Sequence, residues 1–432
     1  MVENLSCWWN WSKINYCDSL KKEIICGNAM TKILILGAGI EQTIPIKLAK
    51  NMGLKVIAVD GNIKALGLRL ANVGISDDIK NVDRMVDIGK RYEVNGVFAH
   101  GVEIPEIVAQ VAKKLNLPGI DPKVAENATN KLKRIKCFKE KNILCPKFLT
   151  AKNIEEAGEN AEKIGFPCVF KPVDNAGARG VIKVRSKNEI ENGFKEATRY
   201  SNANEILIEE FLEGLEISTE SVIYENKIFT TGFGDRNYTR RSEFEPFFVE
   251  DGHNVPSSIS TELKEKVIKT VEGAINALTI NWGVAKGDIL IKDEKVYVLE
   301  IAARTSGGWF CAGTVPIATG VNILSSLIKM SVGYPLDENE LKPKFNKAAC
   351  QRYIIPTQEG IFERIGGIDK AKKMPGVKMF TLFNNINKGD LVRKATNHSE
   401  RFGQIITQGE NIEDAIKKCE NAMKTIQIVV RE

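Results

Sequence analysis

The chain has 432 residues, 43% of them hydrophobic and 27% charged, which is the composition of an ordinary globular protein. This length exceeds what one hydrophobic core organises, so we expect two or three domains. The net charge of +6 is not gathered into one basic run, which argues against nucleic acid as the main partner and favours small anionic ligands. No apolar run reaches the ~20 residues of a membrane-spanning helix, so no membrane partner is predicted.

The cysteines and the N-terminus bear on the environment of the chain. Nine cysteines are widely spaced and form no CxxC pair. This favours a reducing, cytoplasmic location over a disulfide framework or a zinc site. Residues 1–29 match none of the elements that follow, and Met30 directly precedes the first strand. We therefore expect a poorly ordered extension or an upstream start.

A βαβ unit is predicted at the start of the first domain. A buried strand at Ile33–Leu36 is followed by a tight turn with Gly37 and Gly39, a helix, and a second apolar strand that ends in Asp60. Dinucleotide-binding proteins have a third glycine where Gln42 stands here. The match to that fingerprint is weak, and a glycine-rich first turn in a parallel α/β fold is at least as good an interpretation.

The later elements change in character along the chain. Strands and helices alternate to about residue 118, including a helix opened by Pro105, which predicts a doubly wound parallel sheet. The lysine-rich segment from Ala125 predicts one helix that ends before Pro146. Mostly antiparallel strands follow to about residue 330, including a hairpin that turns at Asp293 and Glu294. A lysine and proline linker then leads to a last region of strands and one helix.

A glycine-rich loop is the first candidate for chemistry. The segment "VFKPVDNAGARGVIKV" places Lys171 at the end of a strand and small residues between Asp174 and Gly180. Backbone N–H groups of such a loop can close over phosphate oxygens while the lysine neutralises charge. The spacing of a P-loop is absent, so a Walker-type nucleotidase is not expected.

Two acidic segments follow. The segment "IEEFLEGLE" contains Glu209, Glu210 and Glu216. Taken by itself, this pattern is more typical of an acidic sheet edge that faces solvent. Asp288 and Glu300 fall on the two strands of the hairpin, where carboxylate oxygens can hold Mg²⁺ against phosphate. Arg304 lies just beyond Glu300 and could stabilise developing negative charge.

Taken in order, these segments resemble the ATP-grasp superfamily from Met30 to the C-terminus. The resemblance implies a mixed α/β and α+β fold with a pre-ATP-grasp domain, built on the doubly wound parallel sheet, at residues 30–125. It implies a two-part ATP-grasp domain at residues 126–338. An α+β domain like that of the biotin-carboxylase-type and purine-biosynthetic members is expected at residues 339–432.

The resemblance also implies how ATP would be bound. Lys131 and Lys171 match the two phosphate-binding lysines of the family. The loop from Asp174 through Gly177 to Gly180 matches the mobile loop that covers the triphosphate.

The adenosine and metal contacts are implied in the same way. Glu209 and the main chain of Leu212 match the adenine contacts, and Glu216 matches the residue that holds the ribose hydroxyls. Asp288 and Glu300 match the two acidic Mg²⁺ ligands. The family usually has asparagine two residues after the second acid, where this chain has Ala302.

The substrate side is expected around several further residues. In relatives the first domain helps to enclose the substrate, which suggests a pocket with Gly39, Glu41 and Glu103, although Glu103 is equally well explained as an acid at a helix N-terminus. Arg236, Arg240 and Arg241 fall near the expected substrate face, where arginine can hold a carboxylate or phosphate in bidentate fashion. Arg304 and Arg236 are the expected catalytic residues.

The predicted function is an ATP-dependent carboxylate-amine ligase. A carboxylate would be activated as an acyl phosphate, with ADP released, and an amine would then displace phosphate. ATP and Mg²⁺ are the expected cofactors, and Mn²⁺ is also compatible. The expected partners are small-molecule carboxylates and amines, and the chain is compatible with a homodimer. A carboxylase that works through carboxyphosphate and an ATP-binding protein without turnover stay open as alternatives.

Overall fold

The computed structural model describes residues 30–431. The extension predicted for residues 1–29 lies outside the described residues. Within the described range the strands form four sheets, two of them fully antiparallel around the middle of the chain. The predicted mixed α/β and α+β class is confirmed.

The first domain contains the predicted parallel sheet. Its strand order is β3-β2-β1-β4, and every pairing is parallel. The strands are almost wholly apolar because helices cover both faces. The strands are β1 Lys32–Leu36, β2 Lys55–Asp60, β3 Val73–Ser76 and β4 Gly96–Ala99, and the helices are Thr43–Asn51, Leu66–Leu70, Val82–Tyr92 and Pro105–Lys114.

The glycine turn after β1 is closed by its own neighbours. Gly37 has a φ of +95°, which favours glycine, and its N–H donates to the Val59 carbonyl at 2.8 Å. The Asp60 carboxylate accepts from the Ala38 N–H at 2.7 Å. Gln42, at the position of the missing glycine, donates to the His100 carbonyl at 2.7 Å. These side chains hold the turn itself together.

The lysine-rich segment forms two helices, so the prediction of one helix was wrong. The helices are Pro122–Thr129 and Lys131–Glu140. Asn130 between them is extended, with a ψ of 118°, and its side chain accepts from the Lys133 N–H and caps the second helix. The Lys131 N–H donates to the Val173 carbonyl at 3.0 Å, which fixes the break next to the glycine-rich loop.

A four-stranded antiparallel sheet carries the glycine-rich loop. Its strand order is β5-β8-β6-β7, and the loop joins β6 to β7. The strands are β5 Phe148–Ala151, β6 Cys168–Pro172, β7 Ile182–Val184 and β8 Ile206–Glu210, and the helices are Ile154–Ile164 and Ile190–Arg199.

An eight-stranded antiparallel sheet joins the middle and the end of the chain. Its order is β13-β12-β9-β10-β11-β14-β18-β16, so strands from beyond residue 339 continue a sheet begun by the middle region. The strands are β9 Leu215–Tyr224, β10 Lys227–Asn237, β11 Gly252–Val255, β12 Gly283–Lys292, β13 Lys295–Ala302, β14 Ala348–Ile354, β16 Val377–Leu382 and β18 Gly403–Gly409. The domain boundaries at residues 125 and 338 stay predictions.

The remaining elements cover this sheet or extend it. A small sheet of order β17-β15-β19 lies near the C-terminus and includes the predicted terminal strand. Its strands are β15 Gly360–Gly366, β17 Leu391–Val392 and β19 Gln427–Arg431, and the helices of the middle and C-terminal regions are Arg241–Phe244, Thr261–Ala277, Val315–Thr319, Ile323–Ser331, Ile368–Lys372 and Ile412–Met423.

One hydrophobic core connects the first domain to the rest. Buried side chains of helix Thr43–Asn51 pack with those of helix Ile323–Ser331 and with Trp309 and Phe310. This shared core brings the turn after β1 next to the segment that follows the β12–β13 hairpin. None of the helices between residues 30 and 431 is long and apolar enough to cross a membrane.

Candidate functional site

A cavity of about 610 Å³ lies where the first domain, both antiparallel sheets and the C-terminal region meet. Most residues that the sequence predicted for a site are brought together in its wall. Those that line it are Glu103, Lys131, Lys171, Gly177, Glu209, Leu212, Glu216, Arg236, Arg241, Asp288, Glu300 and Arg304.

Glu41 also lines the cavity, whereas four other predicted site residues, Gly39, Asp174, Gly180 and Arg240, do not. The Asp174 carboxylate instead accepts from Ser201 Oγ at 2.7 Å and from a backbone N–H at 2.8 Å, which anchors the base of the loop. Gly180 has a φ of +70° and lies against Tyr200. Arg240 is held on the surface by Glu243 at 2.7 Å. Their predicted roles in binding stay untested.

Two lysines approach the cavity from different elements. Lys131 is the first residue of its helix, and its ammonium donates to the Asn175 carbonyl in the glycine-rich loop. Lys171 on β6 contacts the Glu209 carboxylate on β8 at 2.5 Å. Burial lowers the pKa of Lys131 to about 8. The Lys131 ammonium is therefore desolvated, and both lysines line the cavity, where a polyanion would meet them.

The two acids on the hairpin face each other as predicted. Asp288 on β12 and Glu300 on β13 are directly paired in the ladder. The ammonium of Lys286, which the sequence reasoning missed, lies 2.5 Å from Asp288 Oδ2 and 2.8 Å from Glu300 Oε2. Because side chains two apart on a strand share a face, the alternation of Lys286 with Asp288 was a usable signal.

Arginines complete the charge pattern around the acids. Arg134 is 3% exposed and places Nη2 3.0 Å from Glu300 Oε1. Arg236 Nη1 lies 2.6 Å from Asp288 Oδ2. Although burial alone would raise it, the charges of Lys286, Arg134 and Lys131 hold the pKa of the Glu300 carboxyl well below its ordinary value. Glu300 is therefore ionised throughout the neutral range.

The acid pair has one oxygen available to a metal ion. Asp288 Oδ1 is buried and has no hydrogen-bond partner, whereas Asp288 Oδ2 and both Glu300 oxygens contact cationic groups. Uncompensated carboxylate oxygens are the ligands that Mg²⁺ prefers, so the residues fit the predicted ion. Ala302 is fully buried and offers no ligand. Across residues 30–431, no cluster of three or more histidine, cysteine or acidic side chains is placed to hold a metal ion.

A second group of contacts ties the first domain to the segment after β13. Arg304 Nε donates to the Glu103 carboxylate. Glu41, in the turn after β1, accepts from the Gly308 N–H at 3.1 Å and from the Trp309 N–H at 2.8 Å. Trp309 has a φ of +61°, so this segment is held in a conformation that side chains rarely adopt.

The remaining wall of the cavity is aromatic and basic. Arg241 Nη2 lies 2.9 Å from Glu216 Oε1, and its guanidinium lies 5.9 Å from the Phe211 ring centroid and 5.8 Å from that of Phe248. Burial raises the pKa of Glu216 above its ordinary value, opposed by Arg236 and Arg241. The aromatic rings and the charged groups of this part of the cavity suit a planar ligand ring with polar atoms at its edge.

The C-terminal region supplies lining residues that the sequence reasoning missed. Arg401 donates to the Glu250 carbonyl at 2.7 Å and lies 3.8 Å from the Tyr353 ring centroid. Arg401 and its lining neighbours His398 and Ser399 are far in sequence from the lysines and the acid pair, so no local pattern could have placed them here. Several buried polar atoms in the wall have no hydrogen-bond partner, and these are Arg241 Nε, Glu250 Oε1, Asp288 Oδ1, Trp309 Nε1 and Arg401 Nε. Such atoms mark places for ligand or water.

The glycine-rich loop also touches the C-terminal region. The His398 N–H donates to the Gly177 carbonyl at 3.0 Å. Gly177, Ala178 and Gly180 all have positive φ, a conformation that glycine adopts without steric cost. The loop thus forms part of the cavity wall and is tied to the C-terminal region.

Comparison with known families bears on the middle and the end of the chain. Residues 128–308 match the family model for the ATP-grasp domain. This chain has an ATP-grasp domain. Residues 352–431 match the model for L-amino acid ligase C-terminal domain 2. The ATP-grasp match contains the two lysines, the glycine-rich loop, the acid pair and Arg304, and it confirms the resemblance seen in the sequence.

The chain is also similar to named relatives and to a solved structure over most of its length. The chain is 27% identical over 360 residues to the carbamoyl phosphate synthase large chain of Thermotoga petrophila, which covers 79% of this chain but only 30% of that protein. It is 25% identical over 419 residues to the formate-dependent phosphoribosylglycinamide formyltransferase of Saccharolobus solfataricus, covering 92% of this chain and 97% of the relative. The fold matches that of L-amino acid ligase from Bacillus licheniformis with a TM-score of 0.80 at 22% identity, over 94% of this chain and all of that one (100%).

Proposed function

We propose that this protein is an ADP-forming carboxylate-amine ligase that joins a small carboxylate to an amine at the expense of ATP. The observation that carries the proposal is the convergence of two partly buried lysines, a facing acid pair and Arg304 in one cavity. Phosphoryl transfer to a carboxylate depends on positioning and charge neutralisation, and these groups supply both.

ATP would be held by the two antiparallel sheets and the loop between them. Lys131 and Lys171 neutralise the phosphates, and the loop around Gly177 covers them. Glu209 and the Leu212 main chain bind adenine, while Glu216 binds the ribose. The desolvated state of Lys131 supports this role, since a buried ammonium gains most from an anionic partner.

Asp288 and Glu300 would hold Mg²⁺, with Mn²⁺ as a compatible substitute. When bound, the ion neutralises negative charge on the reacting phosphates. Arg304 then stabilises the acyl phosphate formed when a carboxylate oxygen attacks the γ-phosphorus and ADP leaves. Attack by the amine on the acyl carbon expels phosphate.

An amino acid is the carboxylate class that we infer. The match of the C-terminal region to an L-amino acid ligase domain supports it. The same region contributes Tyr353 and Arg401 to the cavity, so it is placed to select the substrate. Arg236, Arg241 and Glu103 are the further substrate contacts in this proposal.

The test is phosphate release by the full chain with ATP, Mg²⁺ and a panel of L-amino acids, followed by mass spectrometry of the products. We expect phosphate in equal amount to a condensed product whose mass is the sum of the two substrates minus water. Glu300→Gln should abolish release while nucleotide binding remains, and Glu294→Gln in the exposed hairpin turn is the matched control. A bicarbonate requirement would favour the carboxylase alternative, and binding without phosphate release from any panel member would favour the protein without turnover.

A further inference from the structure

Lys286, Asp288, Glu300 and Ala302 lie on one face of the β12–β13 hairpin, at its open end. Lys286 is paired with Ala302 in the ladder, next to the pair of Asp288 and Glu300. The Lys286 side chain is 12% exposed, and its ammonium bridges the two carboxylates at 2.5 and 2.8 Å. The position that carries asparagine in most ATP-grasp proteins carries a methyl group here, and its cross-strand neighbour carries a positive charge.

We propose that Lys286 supplies the positive charge that a second divalent ion would otherwise bring, so that this ligase binds its nucleotide with one divalent ion. The inference rests on the proposed function, because it concerns the same acid pair. Lys286 thus compensates the negative charge of Asp288 and Glu300.

The charge balance around the acids supports a single ion. Two carboxylates are contacted by three cations, since Arg134 lies 3.0 Å from Glu300 and Arg236 lies 2.6 Å from Asp288, in addition to Lys286. The nucleotide phosphates compensate the charge of one bound dication, whereas a second dication would meet these three cations with little phosphate charge left, and the repulsion is strong at a poorly solvated site. The acid pair therefore has little negative charge left to offer a second ion.

The number of side-chain oxygens that could bind a metal ion also favours a single ion. Asp288 Oδ1 has no hydrogen-bond partner among residues 30–431, whereas the other three oxygens of the pair each contact a cation. Ala302 contributes no oxygen, and no larger cluster of acidic, histidine or cysteine side chains is placed for a metal in this part of the chain. One ion can be completed by this oxygen together with phosphate oxygens and water.

The experiment counts Mn²⁺ ions per chain by electron paramagnetic resonance, in the presence of saturating adenylyl imidodiphosphate. The wild type should bind one ion. The double variant Lys286→Met with Ala302→Asn, which removes the charge and adds an amide oxygen, should bind two. The matched variant Lys286→Arg with Ala302→Asn keeps the charge and should still bind one.

Two ions on the wild type would overturn the inference, as would two ions on the arginine variant. The wild-type count decides the matter even where a variant fails to fold. Failure of the wild type to bind the analogue would overturn the proposed function and this inference with it, whereas binding with two ions overturns this inference alone.

Discussion

Each lysine in the cavity has a distinct electrostatic setting. Lys171 is paired with an acid at 2.5 Å, whereas Lys131 donates to a backbone carbonyl and is strongly desolvated. Burial lowers the pKa of Lys131 and so makes it easier to deprotonate. The two lysines therefore call for different tests.

Lys131 should make ATP binding depend on pH. Its pKa of about 8 means that the free site loses this proton as pH rises above that value, whereas bound phosphate favours the charged form. Affinity should be constant below pH 8 and fall by up to about tenfold per pH unit above it. Nucleotide titrations at pH 7 and pH 9 measure this. Lys131→Arg keeps its charge and should remove the dependence, and an unchanged slope in that variant would contradict the assignment.

Lys171→Ala should weaken ATP binding. A hydrogen bond to a charged group contributes about 1.5 to 3 kcal/mol, so the dissociation constant measured by calorimetry should rise at least tenfold. Lys163→Ala, at an exposed helix position, is the control and should bind as the wild type does. Equal affinities in the two variants would remove Lys171 from the nucleotide site.

At the scale of elements, the glycine-rich loop depends on its backbone conformation. Gly180 has a φ of +70°, and a Cβ there would lie 3.1 Å from the Tyr200 Cβ and 3.2 Å from the Glu196 carbonyl oxygen. Gly158 lies in a regular helix, and a Cβ there would meet nothing nearer than 4.0 Å. Alanine substitutions at these two glycines can therefore be compared, one in a strained backbone and one in a regular helix.

Gly180→Ala should destabilise the closed loop by about 1 to 2 kcal/mol, the cost of left-handed backbone for a residue with a Cβ. We expect a higher KM for ATP. Gly158→Ala should instead stabilise the fold by about 0.5 to 1 kcal/mol. Steady-state kinetics and urea unfolding of both variants decide this, and a Gly180→Ala enzyme with unchanged KM would show that the loop does not cover ATP.

How much of the fold can be predicted from the sequence differs from one element to another. The parallel sheet and the β12–β13 hairpin were predictable because apolar periodicity and turn residues are local signals. The break at Asn130 was missed although asparagine is a preferred N-cap, because the lysine-rich pattern runs across it. The position of Arg401 depends on strands that join the large sheet from beyond residue 339, and no local signal encodes that pairing.

At the scale of the whole molecule, the site depends on contacts between regions that are distant in sequence. Glu41 satisfies two backbone N–H groups after β13, and the His100 ring contacts Thr305 Oγ1 at 2.8 Å. These contacts hold the first domain against the segment that carries Arg304. The cavity is therefore a product of the assembled fold.

Glu41→Ala should destabilise the protein by about 1 to 3 kcal/mol, the cost of leaving a buried donor unsatisfied. It should also lower kcat, because the segment that carries Arg304 loses its support. Glu93→Ala, which removes an exposed acid whose carboxylate pairs with Lys32, serves as the control and should leave stability and kcat close to those of the wild type. A Glu41→Ala protein with wild-type stability and kcat would show that this contact is dispensable.

The most direct measurement of the central claim follows oxygen from the carboxylate. The full chain is incubated with ATP, Mg²⁺, an amine and an amino acid labelled with ¹⁸O in its carboxylate, and the released phosphate is examined by mass spectrometry. An acyl phosphate intermediate predicts that one labelled oxygen is transferred to each phosphate formed. Formation of the condensed product with unlabelled phosphate, or with the label in AMP, would contradict it.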